Sequence, residues 1–251
     1  MKKLLILLLF SLNCFADVTA KSYIVTDENG VVISEKEADQ VRSIASITKL
    51  MTAMVVLDAN LDLEESIPII FKGHNLFHSH LPHSVKTLTR HELINLAIVK
   101  SDNLAAFTLC DSYPGGLDRC IAEMNHKAIE LEMYNTHYDD PTGLNANNVS
   151  TARDLVKLVL KAQEYRHIMD AGSTPVVKLE IKKHWWEFWN TNPLVRTGED
   201  VLVSKTGYID SSGGCVVMLI NTVKGKRVVA LLGSKNTHTR FPEAKRILEQ
   251  L

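Results

Sequence analysis

The 251-residue chain predicts an α+β fold, with one antiparallel sheet shared by both ends of the chain and packed by helices from its middle. Three observations predict it. Alternating or β-branched segments flank Asn29-Gly30 near the start, helical periodicity fills the middle, and strand-like runs return after Val176. No repeat, low-complexity tract or linker divides the chain, so residues 17–251 are expected to form one catalytic domain.

The elements follow in order. Ser22–Thr26 and Val31–Ser34 read as a hairpin, because Asn-Gly tolerates the positive φ that tight hairpin turns demand. Helical patterns cover Ile44–Leu57, Arg90–Cys110, Leu117–Leu131 and Thr151–Gln163, the last capped by Ser150 or Thr151 ahead of Asp154. Val176–Ile181, Val201–Lys205, Cys215–Thr222 and Arg227–Leu232 read as strands, with Lys224-Gly225-Lys226 turning between the last two. Pro242–Leu251 reads as a closing helix.

Composition suits a globular fold, with 45% hydrophobic and 23% charged residues. Lys2 and Lys3 precede the apolar run Leu4–Leu12, and Cys14-Phe15-Ala16 offers a small-residue cleavage site, so residues 1–16 read as a secretory signal. That run is too short to span a bilayer. An uncleaved anchor and a lipoprotein reached through Cys14 are the competing readings. Cleavage leaves 26 basic against 29 acidic residues, a net charge of −3 that implies no nucleic-acid or anionic-membrane partner. Three cysteines remain in an oxidising compartment. Cys110 and Cys120 flank a turn and stand either as a disulfide or as two buried thiols, whereas Cys215 reads as core.

The chemistry is carried by Ser46-Ile47-Thr48-Lys49, Ser101-Asp102-Asn103 and Lys205-Thr206-Gly207. A serine hydroxyl is nearly inert until a base takes its proton, and a lysine is such a base only when neutral. Three residues apart on one helix, Ser46 and Lys49 share a face, and the first helical turn favours developing negative charge. Lys49 therefore needs burial or a neighbouring cation to lose its proton, and Lys205 is the candidate cation. Lys205 and the Thr206 hydroxyl also suit a substrate carboxylate, and Gly207 leaves room for a substrate backbone along the strand. Ser101 is placed to relay a proton to a leaving amine, and Asn103 to bind a substrate amide or hold Lys49. Ser-x-x-Lys and Ser-x-Asn alone are common, and Lys-Thr-Gly is rarer. All three in this order, the first opening an apolar helix and the last a strand, is a specific signal.

On these motifs the chain resembles the low-molecular-weight penicillin-binding proteins of peptidase family S11, and within them the penicillin-binding protein 7 type of murein DD-endopeptidase. The likeness also rests on Tyr113-Pro114-Gly115-Gly116, Pro141-Thr142-Gly143-Leu144, the run Asn148–Leu155 and Asn190-Thr191-Asn192, and it spans Tyr23 to the C-terminus. The resemblance implies a DD-peptidase/β-lactamase-like fold with a helical subdomain and a cleft between sheet and helices. It implies that Ser46 forms an acyl-enzyme, that Lys49 accepts its proton, that Ser101 and Asn103 complete the catalytic set, and that Lys205 meets a substrate carboxylate. The N–H groups of Ser46 and Tyr208 would surround the oxyanion. The implied partners are peptidoglycan peptides and acylating β-lactams, with no cofactor, no metal and a periplasmic location. Cleavage of D-Ala to diaminopimelate cross-links is the expected reaction, with carboxypeptidase action on stem pentapeptides the alternative. Family carboxypeptidases often add a β domain and an amphipathic anchoring tail. This chain stops at Leu251, so no stable membrane anchor is expected.

Other features compete less strongly. His74, His78, His80 and His83 crowd a segment where imidazoles suit zinc, but a polar loop with Pro82 need not converge them. Trp185, Trp186 and Trp189 are expected to pack into the core or a subdomain, an aromatic surface for sugar or peptide being the other reading. Asp102 is expected at the surface or in a supporting role, and Asp139-Asp140 beside a turn receives no catalytic role. A class A β-lactamase would require a deacylating Glu-x-x-x-Asn, which Leu131–Asn148 lacks. A non-catalytic peptidoglycan-binding module remains the reading from outside enzymology.

Overall fold

The computed structural model describes residues 18–71 and 78–251. The expected secretory signal and His74 lie outside them.

In chain order, β1 (Ser22–Thr26) and β2 (Val32–Lys36) form the expected hairpin, and β3 (Arg42–Ser43) leads into a 3-10 turn (Ala45–Ile47) and α1 (Thr48–Asp58). The short strands β4 (Ser66–Pro68) and β5 (Thr87–Thr89) precede α2 (Arg90–Asn95), a π-helical turn (Leu96–Lys100), α3 (Asn103–Asp111) and α4 (Gly116–Glu130). Then come β6 (Val149–Ser150), α5 (Ala152–Ala162), α6 (Arg166–Ser173) and the hairpin β7 (Val176–Ile181)–β8 (His184–Trp189). The short α7 (Pro193–Arg196), the strands β9 (Val201–Ile209), β10 (Gly213–Thr222) and β11 (Gly225–Ser234), and α8 (Arg240–Glu249) complete the chain.

The main sheet is antiparallel, in the order β2-β1-β11-β10-β9, so both ends of the chain do meet in one sheet. Its inner strands are buried on both faces. Ile24, Val217, Leu219, Ala230 and Leu232 face the helices of the middle of the chain, while Tyr23, Val216, Met218, Val229 and Leu231 face α8 through Phe241, Ala244 and Ile247. This two-sided burial explains why β10 and β11 read as continuous apolar runs rather than alternating ones. Glu243 of α8 fastens the two ends together, accepting from the Thr19 N–H (2.8 Å) and hydroxyl (2.6 Å) and from Ser234 Oγ (2.6 Å).

Two expectations change. The single helix expected over Arg90–Cys110 is interrupted, because Ser101 adopts the left-handed conformation (φ 60°, ψ 31°) and Asp102 is extended. Periodicity is blind to this break, since no Gly or Pro marks it. The tryptophans do not enter the core. The core-facing side of the β7–β8 hairpin is filled by Leu179, Ile181 and Phe188, which leaves Trp185 and Trp189 on the outer side. Asp102, expected at the surface or in a supporting role, is fully buried and takes the second of these. Cys110 and Cys120 form a disulfide that joins α3 to α4, and Cys215 is a buried thiol.

Candidate active site

The three motifs converge where the 3-10 turn, the break at Ser101 and β9 meet. Lys49 is fully buried in the first turn of α1 and donates to Ser46 Oγ (2.8 Å), Asn103 Oδ1 (2.7 Å) and the Thr142 carbonyl (2.6 Å). Three acceptors surround one ammonium, so the side chain is fixed in place and Asn103 takes the holding role. Burial pushes Lys49 down to about 7, even though Asp140 and Asp102 pull the other way. Desolvation, rather than the charge of Lys205, is thus the principal cause of the lowered value.

Lys205 is also buried and donates to Ser101 Oγ (2.8 Å) and to the Thr206 carbonyl (2.9 Å). Burial holds it well below the ordinary lysine value, with Lys49 and Arg240 adding to the effect. The Thr206 hydroxyl donates to Thr191 Oγ1 (2.7 Å), and the Thr191 N–H to the Val99 carbonyl (3.0 Å), so the Asn190-Thr191-Asn192 segment bridges β9 and the π-helical turn.

Two glycines set how closely these pieces approach. A Cβ on Gly207 would lie 2.7 Å from the Ile44 carbonyl oxygen and 3.1 Å from the Ser46 nitrogen. The room at Gly207 is therefore taken by the Ser46 turn itself, not kept for a substrate backbone. Gly143 has φ +79°, and a Cβ there would fall 1.9 Å from the Ala45 carbonyl oxygen. Tyr208, the next residue along β9, is partly exposed, and its hydroxyl donates to Asp210 (3.2 Å).

Sequence reasoning missed two supporting residues, Asp140 and Arg240, and gave Asp102 a supporting role as one of two readings. Asp140, given no catalytic role, accepts from the backbone N–H groups of Thr142 (2.5 Å), Gly143 (2.7 Å) and Asn145 (2.6 Å), shaping the loop that presents the Thr142 carbonyl to Lys49. The Asp-Pro-Thr-Gly spacing is an Asx-turn signal that points to such a role. Buried Asp102 caps α3 through the Ala105 N–H (3.0 Å) and receives Ser79 Oγ (2.9 Å) and the His80 N–H (2.7 Å), so the histidine-rich segment docks on the residue between Ser101 and Asn103. Arg240 Nη1 donates to the Gly207 carbonyl (2.8 Å), and burial lowers its guanidinium to about 10. Nothing in the sequence separates Arg240 from surface arginines. Among the described residues no group of His, Cys, Asp and Glu converges as a metal cage.

A five-stranded sheet backed by helices, with a buried lysine bonded to a serine beside a second serine–lysine pair, defines a serine hydrolase of the DD-peptidase class. The comparisons with known proteins agree. A family model described as peptidase S11, D-alanyl-D-alanine carboxypeptidase, matches residues 11–236. The D-alanyl-D-alanine endopeptidase of Escherichia coli (strain K12) is 37% identical over 243 residues, covering 92% of this chain and 76% of its own. That of Pseudomonas aeruginosa is 35% identical over 237 residues, with the same coverage of both chains. The crystal structure of the Streptomyces K15 DD-transpeptidase superposes with a TM-score of 0.86 at 26% identity, over 94% of this chain and 97% of that one. Penicillin-binding protein D2 from Listeria monocytogenes, in its cefotaxime-bound form, gives 0.84 at 26% identity over 94% and 98%. The chain belongs to the peptidase S11 family.

Proposed function

We propose that this protein is a DD-endopeptidase that cleaves D-Ala to diaminopimelate cross-links of peptidoglycan through an acyl-enzyme on Ser46. The observation that carries the mechanism is the triple hydrogen bonding of a buried Lys49 whose pKa is drawn down to about 7. Neutral Lys49 takes the proton of Ser46 as its Oγ attacks the D-Ala carbonyl. The backbone N–H groups of Ser46 and Tyr208 would receive the oxyanion, a role supported by the close approach of Gly207, the residue before Tyr208, to the Ser46 nitrogen. As the C–N bond breaks, the proton held by Lys49 is relayed through the Ser101 hydroxyl to the leaving amine, which returns Lys49 to its neutral form, while Lys205, 2.8 Å from Ser101 Oγ, holds that hydroxyl in place. Water then attacks the ester, with Lys49 again as base, and frees the D-Ala carboxylate.

The leaving amine carries a carboxylate on its D-centre. Lys205 and Thr206, whose donors are engaged by Ser101 and Thr191 in the free protein, are the groups that would turn to that carboxylate. A terminal D-Ala offers the same carboxylate, so carboxypeptidase action on pentapeptides is the second reading, favoured by the description of the family. β-Lactams would acylate Ser46 and persist, since no class A-type deacylating glutamate arrangement is present. The peptidase would act in the periplasm after removal of residues 1–16, and no helix among the described residues is long and apolar enough to cross a membrane.

Purified cross-linked muropeptide dimers and linear pentapeptide monomers, followed by mass spectrometry with a Ser46→Ala control, test the proposal. Dimers should become monomers in a Ser46-dependent way. Loss of D-Ala from pentapeptide alone makes the protein a carboxypeptidase, and no Ser46-dependent product from either leaves only a binding module.

A further inference from the structure

The β7–β8 hairpin carries the cross-strand pairs Val176–Trp189, Lys178–Glu187 and Glu180–Trp185 on its outer face. Trp185 is 69% exposed and Trp189 48%. Four residues apart on one strand, the two indoles stand roughly 13 Å from each other. Between them Lys178 Nζ pairs with Glu187 Oε1 at 2.8 Å. Trp189 is also one wall of an open depression of about 440 Å³ completed by Pro193, Arg196 and Thr197. Two residues further on, Thr191 bonds Thr206 of the Lys205 motif, so this face runs directly into the cleft.

We propose that this face binds the glycan strand of peptidoglycan, an N-acetylated amino-sugar polymer, while the attached peptide enters the cleft. The choice of polymer rests on the peptidoglycan reading above. Aromatic surface, polar pair, aromatic surface is the sequence of contacts a chain of sugar rings can use. The C–H face of a pyranose stacks on an indole, and its hydroxyl and acetamido groups reach Lys178, Glu187 and Arg196. An apolar protein partner or a lipid surface would have to bury the Lys178–Glu187 pair and Glu180, which is costly without compensating bonds. Continuity with the cleft settles which sugar polymer is meant, because peptidoglycan links such strands to its stem peptides.

The test has two arms, on the full protein. In the first, glycan strands stripped of peptide are titrated calorimetrically, a measurement that needs no catalysis. Trp185→Ala and Trp189→Ala should each weaken binding about tenfold, with Trp189→Phe retaining most of it. In the second, cross-linked peptides with and without their disaccharides are hydrolysed, and a fluorescent penicillin labels Ser46. Both alanine variants should raise KM for the disaccharide-bearing substrate alone, leaving kcat, glycan-free hydrolysis and penicillin labelling at wild-type levels. No binding of glycan by the wild type, or equal losses on both substrates, overturns the proposal. Glycan binding without hydrolysis of either peptide overturns the endopeptidase reading and leaves the glycan surface standing.

Discussion

Lys49 shows how far one residue is governed by its surroundings. Its ammonium is surrounded by three acceptors yet removed from water, and burial outweighs the nearby carboxylates, giving a pKa of about 7. A base of this kind gives acylation by a penicillin that rises with pH through about 7 and levels off above it, measured as labelling rate between pH 5.5 and 9. A flat profile would refute Lys49 as the base. Lys49→Ala should slow labelling by a factor of about 10² to 10⁴ while circular dichroism stays native. The same group opposes folding at neutral pH. Its folded pKa lies below the unfolded 10.5, so from 7 to 10.5 the unfolded chain holds more protons, and this contribution to stability rises with pH. Gly143 makes the opposite point. Replacing it by Ala sets a left-handed φ against a methyl 1.9 Å from a carbonyl oxygen, so Gly143→Ala should lose both penicillin labelling and several degrees of Tm.

At the scale of the element, the break between Leu96 and Asn103 matters most. A continuous helix would carry Ser101 past the cleft. The π-helical turn and the left-handed Ser101 aim its hydroxyl at Lys205, and the Asp102 cap restarts the chain as α3 with Asn103 against Lys49. Asp102 also holds Ser79 and the His80 N–H, so its loss leaves three donors short of their partner. Asp102→Ala should cost about 2–4 kcal/mol in urea unfolding and slow acylation, because Asn103 loses its anchor. Unchanged acylation would place the consequence in stability alone. The Cys110–Cys120 disulfide closes a short loop between α4 and the end of α3 opposite Asn103. The Cys110→Ala/Cys120→Ala pair should lose about 2–3 kcal/mol and keep wild-type labelling.

For the whole molecule, the site exists only because both ends of the chain close one sheet around a helical middle. The Ser46 turn comes from the first third of the chain, Ser101 from the middle and Lys205 from β9, so the pocket should disappear in the same step as the fold. Penicillin labelling, far-UV ellipticity and the fluorescence of the three tryptophans, all on β8, should share one urea midpoint. An earlier tryptophan transition would show that the β7–β8 hairpin opens on its own.

The sequence alone determined the three motifs on which the proposed chemistry rests, their order, the hairpin at Asn29-Gly30, a cap at Ser150 or Thr151 and the strands that flank Lys205-Thr206-Gly207. These are local signals, written in residue type and short spacing. Tertiary structure decided the rest. The left-handed Ser101, the burial that neutralises Lys49, the purpose of Gly207, the pairing of Cys110 with Cys120 and the outward tryptophans all depend on atoms brought together from distant parts of the chain. Desolvation and steric contact act over a few ångströms of space, and no spacing in sequence measures that distance.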